Sequence, residues 1–396
     1  MARLVTVGAE SNDRGVENAA ASGTVTQDSG TFRSGAFAYK VDSTGSNVAA
    51  YIQPTSDTNI TTGYFRCYLN FSQFPTATTT IIYPGSSGGG PVGIRCTSGG
   101  VLQLWNSSAQ QGGDSATLVT GTWYRVELFM DAAPASGSRV MTARLDGVEF
   151  ATGTTYTSGE IGITSSCSFG WLAAPGASRV MFIDDIAYND TTGANQNSWP
   201  GDGKVVLLVP ISDNARDTLW TGGAGGTTNL FDAVNNKPPA GLASASATNT
   251  SQIEHAGGAA GTTDRYDANM TTYSTAGITS ADVVSVVHFV ETDAEDIATG
   301  AKLLNFEVLS NPAVASPGNI TAGNASAAGT YPTNWVTRRS APVYKPSITV
   351  GTSPVMRARR PETASRVASV CFMGMYVEYI PAVPLPILVT PPYRAP

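Results

Sequence analysis

Two pairs of neighbouring carboxylates in the first half of the chain are the candidates to be tested as a catalytic pair on a β-strand. Glycoside hydrolysis needs two carboxyl groups about 5 Å apart, or further apart in inverting enzymes. Glu127 and Asp131 are four positions apart in the alternating segment VELFMD, so they share one strand face. Asp184 and Asp185 are adjacent, and on a regular strand they point to opposite faces. No third acid lies between Glu127 and Asp131, so we expect a solvated outer face there and not a catalytic centre.

The other residue types that carry chemistry are few and isolated. The chain has two histidines: His288, inside the apolar run VVHFV, and His255, in a small-residue loop without a nucleophile motif beside it. Two histidines cannot build a multi-histidine metal site. The glycine-rich stretches SSGGGP, TGGAGG and HAGGAAG lack the context of a phosphate loop and are predicted to be turns. We therefore expect a protein that is not an enzyme and has no organic cofactor.

Composition and charge exclude several classes of protein. A length of 396 residues suits two domains. The composition, with 41% hydrophobic residues, only 13% charged residues and 42 glycines, favours short strands joined by turns. The net charge of −7 and a pI near 4.9 argue against nucleic-acid binding, which needs a basic field. The chain contains neither a signal-peptide core nor an apolar run of roughly 20 residues, so we expect no membrane insertion.

Apolar residues alternate along many short segments, which is the pattern of antiparallel strands. The segment WYRVELFMDAAPASGSRVMTARLDGVEF predicts a hairpin, with a second tight turn at Asp146-Gly147. About ten such segments precede residue 190, and further ones follow after 204. We predict an all-β protein of two consecutive antiparallel β-sandwiches of the jelly-roll type. The predicted divisions are a sandwich at 1–190, a linker at 191–203, a second sandwich at 204–380 and a Pro-rich extended tail at 381–396.

Both halves resemble known families. The ordered segments RSGAFAYKV, YFRCYLNF, GVLQLW, TWYRVELFMD, RLDGVEF and VMFIDDIAYND resemble the concanavalin A-like lectin/glucanase sandwich of the laminin-G-like kind, over residues 1–190. This resemblance implies a two-sheet jelly roll, but the E-x-D-x-x-E strand of its glycanase members is missing. The segment DNARDTLWTGG, with NLFDAVNN and DRYDANMTTY, resembles the second sandwich of certain tailed-phage structural proteins.

The type of sandwich raises a possible metal site, and aromatic residues raise a sugar site that the resemblance itself does not imply. In such sandwiches an acidic residue of the closing strand can hold a structural Ca²⁺, which points to Asp184 with Glu10 or Asp13; a hydrogen-bonded aspartate without metal is the alternative. Exposed aromatic rings can stack on sugar rings of a host-surface glycan. The candidates for stacking are Trp105, Trp171, Tyr51 and Tyr83.

Two features are candidates for contacts between subunits. Basic residues cluster late in the acidic chain and could pair with acidic groups of another subunit, or form a solvated face. The apolar, Pro-rich tail could lie on its own domain or on a neighbouring subunit. The residues are Arg338, Arg339, Arg357, Arg359 and Arg360, with Lys345 and Arg366, and in the tail Pro384, Leu385 and Ile387.

The four cysteines have no CxxC spacing, and Cys67 and Cys96 occupy apolar strand positions. We expect buried free thiols, with a Cys67–Cys96 disulfide as the alternative. Together these features predict a non-enzymatic structural component of a tailed-phage virion, assembled in the host cytoplasm, and first of all a minor tail protein. The alternatives are a capsid decoration or head-fibre protein and a carbohydrate-binding module. We expect other virion proteins and further copies of the chain as partners.

Overall fold

In the part of the chain that the structure describes, 28 strands form four antiparallel β-sheets, accompanied by one short helix. A computed structural model describes residues 3–10, 19–43, 48–85, 92–217, 220–222, 229–235, 253–255, 265–278, 283–294, 303–312, 320–321, 336–339, 343–344, 346–359 and 368–380. The predicted all-β class is confirmed, whereas the tail from 381 to 396, with Pro384, Leu385 and Ile387, lies outside the described residues. No helix in the described ranges has the length and apolar character needed to span a membrane.

The first half supplies sixteen strands. They are β1 (Arg3–Val7), β2 (Ala19–Ser22), β3 (Thr24–Asp28), β4 (Ala38–Asp42), β5 (Ala50–Ile60), β6 (Thr62–Phe71), β7 (Thr79–Tyr83), β8 (Gly93–Cys96), β9 (Leu102–Trp105), β10 (Gln110–Asp114), β11 (Trp123–Asp131), β12 (Arg139–Leu145), β13 (Val148–Tyr156), β14 (Thr164–Ser166), β15 (Ser168–Trp171) and β16 (Val180–Asp190).

These strands form two sheets that pack face to face. Sheet I has the order β13-β12-β11-β6-β16-β4-β3, with β1 on β16, and sheet II has the order β10-β9-β8-β7-β15-β5-β14, with β2 on β5. One apolar core joins them, and it includes Leu128 of sheet I and Ile52 of sheet II, both fully buried. The two inner faces of the first sandwich are therefore used for stability, and its two outer faces can make contacts.

The hairpin predicted from Trp123 onward is present. In it β11 and β12 pair antiparallel, with Val126 opposite Leu145 and Leu128 opposite Ala143. The turn that follows has Asp146 at φ 51° and Gly147 at φ 87°. Positive φ at both positions is the geometry of a type I′ turn, whose twist matches the strands it joins and which favours the Asp-Gly sequence.

The second half supplies twelve strands and a helix in two further sheets. Sheet III has the order β19-β20-β28-β22-β25, with β17 on β28 and β26 on β22, and sheet IV has the order β18-β21-β27-β23-β24. The elements are β17 (Lys204–Leu208), β18 (Pro210–Arg216), β19 (Trp220–Gly222), α1 (Phe231–Asn235), β20 (Ile253–His255), β21 (Arg265–Met270), β22 (Val283–Ala294), β23 (Leu303–Ser310), β24 (Ile320–Thr321), β25 (Val336–Arg339), β26 (Val343–Tyr344), β27 (Val355–Arg359) and β28 (Ala368–Tyr379).

One apolar run of the second half is divided between two sheets. The run from Lys204 to Ile211 breaks at Val209, so that β17 belongs to sheet III and β18 begins at Pro210 in sheet IV. Proline lacks the N–H that a continuous central strand would use, which suits the first position of a strand. A separate core lies between sheets III and IV, with Trp220 and Tyr266 among its fully buried side chains.

The cysteines of the first half are buried free thiols, as expected. Cys67 lies in sheet I, Cys96 in sheet II and Cys167 beside β15, and none of the three forms a disulfide. Burial raises the pKa of the Cys96 thiol to about 12 and raises the pKa values of Cys67 and Cys167 still more clearly. The alternative of a Cys67–Cys96 disulfide is wrong, because both thiols are free in the structure.

Candidate functional site

Three of the four aromatic residues predicted for sugar stacking lie on the outer face of sheet II. Trp105, Tyr83 and Tyr51 are half-buried and occupy strands β9, β7 and β5. Trp171 is different, since its side chain is 0% exposed and its ring lies 5.9 Å from that of Phe71 in the core. Its assignment as a stacking residue is wrong, because a fully buried ring cannot meet a ligand.

A glycine separates Trp105 from Tyr83 across the sheet. Trp105 is directly opposite Gly93, and the register of Ile82 with Ile94 places Tyr83 beside Gly93 on the other side. Gly93 has φ +125°, and a Cβ there would collide with the carbonyl oxygen of Ile82. The backbone therefore leaves a notch between two aromatic side chains that are two strands, or about 10 Å, apart. We call Trp105, Gly93 and Tyr83, with Arg95, the aromatic row.

Hydrogen bonds fix the side chains at one end of the aromatic row. The indole Nε1 of Trp105 donates to Oε1 of Gln103 at 3.0 Å, and Nε2 of Gln103 donates to Asp114 at 2.9 Å. Gln110 donates to the same oxygen of Asp114 at 2.7 Å. The guanidinium carbon of Arg95 lies 4.2 Å from the centre of the Trp105 ring, in cation–π geometry. A ring held in this way loses little conformational entropy when a ligand binds.

Tyr83 and its neighbours form the other end of the row. The Tyr83 ring packs on Gly85, where a Cβ would collide with it. Ser168, opposite Tyr83, donates to the carbonyl of Gly85 at 3.0 Å, and Gln53 donates to Ser166 at 3.1 Å. Ser166 and Ser168 are 1% and 0% exposed, so these hydrogen bonds stabilise the strands beside Tyr83 and are not open to a ligand.

The outer face of sheet I is used differently, because segment 199–203 lies on it. Trp199 packs against Tyr64, with ring centres 5.1 Å apart, and against Phe129, at 6.2 Å. Arg144 lies over the indole at 3.9 Å. The amide of Gly201 donates to Glu127 at 2.9 Å. Glu127 is 1% exposed, so the prediction of a solvated outer face at this residue is wrong.

Charged side chains next to segment 199–203 connect the two sandwiches. Nη2 of Arg3 lies 3.1 Å from Oε2 of Glu378, and Nη1 of Arg66 lies 2.8 Å from Oε1 of the same carboxylate. All three side chains are 0% exposed, and Ser285 donates to Glu378 at 3.3 Å. Burial alone lowers the pKa of Arg66, but the charges of Glu378 and nearby groups more than offset this effect, so the net shift is upward. We call Arg3, Arg66 and Glu378 the junction.

A second set of contacts extends the junction toward Asp185. Arg33 donates to Asp185 and to the carbonyl of Gly203, both at 2.6 Å, and to Asp202 at 2.7 Å. Its guanidinium carbon lies 3.4 Å above the Tyr68 ring. Asp185 also accepts the amide of Val205, at the start of the second sandwich, at 2.6 Å. The carboxylate of Asp185 is 0% exposed and thereby binds groups from both halves of the chain.

The residues predicted to hold Ca²⁺ bind the main chain. Asp184 accepts the amides of Arg33 at 2.8 Å and Ser34 at 3.3 Å through Oδ2, and that of Asp185 at 2.7 Å through Oδ1. Burial raises the pKa of Asp184, and the neighbouring charges of Asp185 and Glu10 add to the shift.

Glu10 holds the other end of the same turn. Its two oxygens accept the amides of Ala36, at 2.7 Å, and Phe37, at 3.3 Å, around Gly35 at φ +64°. All four carboxylate oxygens of Asp184 and Glu10 thus accept N–H groups, so this pair fits poorly as a set of calcium ligands. Within the described ranges no three His, Cys, Asp or Glu side chains gather as a metal site, and Asp13 lies outside those ranges.

A bulge explains why Asp184 and Asp185 both contact segment 33–34. The register of β16 with β6 shifts between Asp184 and Ala187, and Asp185 has φ 49°. Their expected placement on opposite faces is therefore wrong. Local alternation is lost at a bulge, and both carboxylates become available to one loop.

The described strands divide four of the late arginines between two sheets. Arg357 makes two hydrogen bonds with Asp267, at 2.7 and 2.8 Å, and lies 3.4 Å from Glu307, all within sheet IV. Arg359 is half-buried on the same strand. Arg338 and Arg339 belong to β25 of sheet III, and Arg360 lies outside the described residues. Arg357 thus binds acids of its own sheet, and its contact with another subunit stays a prediction.

Sequence reasoning missed the junction residues Arg3, Arg66 and Glu378, as well as Trp199. One signal was present: Arg66 stands within the otherwise apolar strand YFRCYLNF, in a chain with only 13% charged residues. A charge at such a position indicates a buried ion pair, but its partner belongs to a distant strand of the other half.

Comparisons with known proteins give only partial likeness. A scan against family models finds no match, and neither does a search of curated protein sequences. Among solved structures, the cellulose-induced protein Cip1 is 19% identical, with 50% of this chain and 99% of that chain covered and a TM-score of 0.36.

Two further structures are similar over about the same share of the chain. A carbohydrate esterase from a Shiga toxin-encoding bacteriophage is 16% identical, with 47% and 97% covered and a TM-score of 0.36. An endo-β-1,4-glucuronan lyase from the fungus Trichoderma reesei is 15% identical, with 48% and 95% covered and a TM-score of 0.32. Likeness at this level says nothing about activity.

Proposed function

We propose that this chain is a non-enzymatic structural component of a tailed-phage virion, and first of all a minor tail protein. The junction carries the proposal: Arg3 and Arg66 of the first sandwich share the buried carboxylate of Glu378 in the second. Buried charges are strongly destabilising when they lose their partners, so the two halves resist separation. A protein whose two bodies keep a fixed relation can hold its neighbours in an assembly at fixed positions.

The acids that could have formed a catalytic pair support the same proposal. Glu127 accepts the amide of Gly201, and Asp131 accepts the hydroxyl of Thr62 at 2.8 Å and the amide of Ala133 at 3.1 Å. Carboxylates bound in this way stabilise the fold. The resemblance of residues 200–380 to phage structural proteins supports the proposal of a virion as the setting, with other virion proteins and copies of the chain as the proposed partners.

Purified particles test this proposal. We expect the polypeptide in density-purified virions, in a fixed ratio to the major tail protein and resistant to a high-salt wash. Immunogold labelling then separates a tail position from a capsid decoration or head-fibre position. Particles that are infectious and lack the polypeptide would contradict the virion role.

The aromatic row favours a second function, binding of a host-surface glycan by the first sandwich. Trp105 and Tyr83 are half-buried residues on either side of Gly93, and sugars offer apolar faces to aromatic rings. In affinity electrophoresis through gels that contain polysaccharide, Trp105→Ala should abolish retardation of the protein. Val148→Ala, which removes an apolar side chain 71% exposed on sheet I, is the matched control and should behave as wild type.

A further inference from the structure

Two arginines are paired across the outer face of sheet IV. Arg265 of β21 is directly opposite Arg359 of β27. Tyr266 and Ala358, next to them in sequence, are 0% exposed in the core. Since side chains alternate along a strand, both arginine side chains belong to the outer face. Residues directly opposite in an antiparallel pair have Cβ atoms about 4.5–5.5 Å apart, and like charges in such positions destabilise a sheet unless negative charge lies nearby.

The acids of this face bind mainly a third arginine. Arg357 makes two hydrogen bonds with Asp267, at 2.7 and 2.8 Å, and lies 3.4 Å from Glu307. Arg265 approaches the same Asp267 only at 3.7 Å, and its side chain is 44% exposed. The described strands β21, β23 and β27 therefore place three guanidinium groups and two carboxylates on this face, which leaves one positive charge in excess.

Arg359 is the guanidinium without a partner. The described residues give it neither an ion pair nor a hydrogen bond, and its Nε is buried. Asp213, the acid of the neighbouring strand β18, accepts the hydroxyl of the core residue Tyr266 at 2.9 Å and the amide of Phe231 at 2.8 Å, so it serves the inner side of the sheet. Partial burial of an unpaired charge costs free energy, and a carboxylate from outside would recover it.

We propose that the outer face of sheet IV binds an acidic segment of a neighbouring protein, with a carboxylate paired to Arg359 and Arg265. Guanidinium groups bind carboxylates in a bidentate manner, so the contact also fixes register. The chain has a net charge of −7 and repels a dense polyanion such as nucleic acid, whereas a carboxylate matches the local excess of one charge. This inference rests on the structural role proposed above and adds the surface and the chemistry of the partner.

Two matched peptides test the charge requirement with the intact chain. A short polyglutamate peptide and a polyglutamine peptide of the same length have the same backbone, and only the first carries carboxylates. In fluorescence polarisation we expect labelled polyglutamate to bind and polyglutamine not to bind. Added salt should weaken the binding, since part of the attraction is between exposed charges. Tighter binding of a DNA oligonucleotide of the same charge would overturn the choice of a protein partner.

Variants assign the binding to this face. Arg359→Gln should weaken the binding of polyglutamate by about tenfold, the effect of losing one hydrogen bond between charged groups. Arg265→Gln should also weaken it, and it decides if Arg359→Gln does not fold in thermal melts, because its side chain is more exposed. Lys40→Gln is the matched control, because it removes one positive charge from a side chain 34% exposed on sheet I, and it should bind as wild type.

The outcomes separate this docking surface from the structural role. No binding of polyglutamate, equal binding of the two peptides, or an equal loss for Lys40→Gln and Arg359→Gln would overturn the docking surface. In purified particles, a high-salt wash should remove the Arg359→Gln chain and leave the Lys40→Gln chain. Equal retention of both variants would also overturn the docking surface, whereas absence of the wild-type chain from particles would contradict the structural role itself.

Discussion

The carboxylate of Glu378, near the end of strand β28, lies 2.8 Å from the guanidinium of Arg66 in strand β6, and neither side chain is exposed. This ion pair joins the last strand of the second sandwich to a central strand of the first. Because both charges are buried away from water, either one is strongly destabilising when its partner is removed. The pair therefore couples the stabilities of the two halves.

Removal of the junction carboxylate should therefore destabilise the whole chain. We expect Glu378→Gln to lower the free energy of unfolding by about 3–5 kcal/mol, because Arg3 and Arg66 would stay buried without a negative partner. The change should also separate the unfolding of the two sandwiches into two transitions. Urea unfolding followed by tryptophan fluorescence measures both effects.

Glu307→Gln is the control for the junction variant. Glu307 is 28% exposed and lies 3.4 Å from Arg357, so its loss should cost no more than about 1 kcal/mol. If Glu378→Gln unfolds at the same urea concentration as this control, the junction does not couple the sandwiches.

The close approach at Gly203 gives a second prediction. A Cβ at this position would lie 2.6 Å from Nη1 of Arg66 and 2.7 Å from Oε1 of Glu378. We expect Gly203→Ala to lower stability by about 1–3 kcal/mol, since the ion pair must move to admit the methyl group. Gly159→Ala, where a Cβ would meet nothing within 4 Å, is the matched control in thermal melts. Equal melting temperatures for the two variants would contradict the geometry.

His288 should make the protein sensitive to mild acid. The side chain is 2% exposed, and burial lowers its pKa from 6.5 to about 4. Because the folded-state pKa lies below the unfolded one, the neutral folded form is fully favoured above pH 6.5, and stability is lost as pH falls from 6.5 toward 4.

The expected loss at pH 5 is about 2 kcal/mol, by linkage. Urea unfolding at pH 7 and pH 5 measures it. His288→Leu should flatten this pH dependence, because leucine at this position cannot take up a proton. An unchanged slope in the variant would assign the acid sensitivity to other groups.

Calcium should have little effect on the first sandwich. Since amides already occupy both oxygens of Glu10 and of Asp184, we expect the same melting temperature with calcium and with EDTA. Glu10→Gln should lower the melting temperature in both conditions, because the turn from Ala36 to Phe37 loses an acceptor. A rise in melting temperature with calcium, abolished in Glu10→Gln, would instead establish a metal site.

The sequence by itself determined the strands and their inward faces. Alternation from Val126 to Leu145 and the Asp146-Gly147 turn predict a hairpin that the structure contains. Cys67 and Cys96, on apolar positions, are buried free thiols, as the same pattern indicates. These features depend on contacts within a few residues or on the period of two, so a single segment is enough to predict them.

Only the tertiary structure decided how the outer faces are used. Periodicity places both Glu127 and Trp105 on outward positions. In the structure Gly201 covers Glu127, whereas Trp105 stays half-exposed beside Arg95. A bulge turns Asp184 and Asp185 toward one loop, and Arg66 finds Glu378 in the other half of the chain. The physical reason is that burial of a charge depends on a partner brought by long-range folding, which no local pattern specifies.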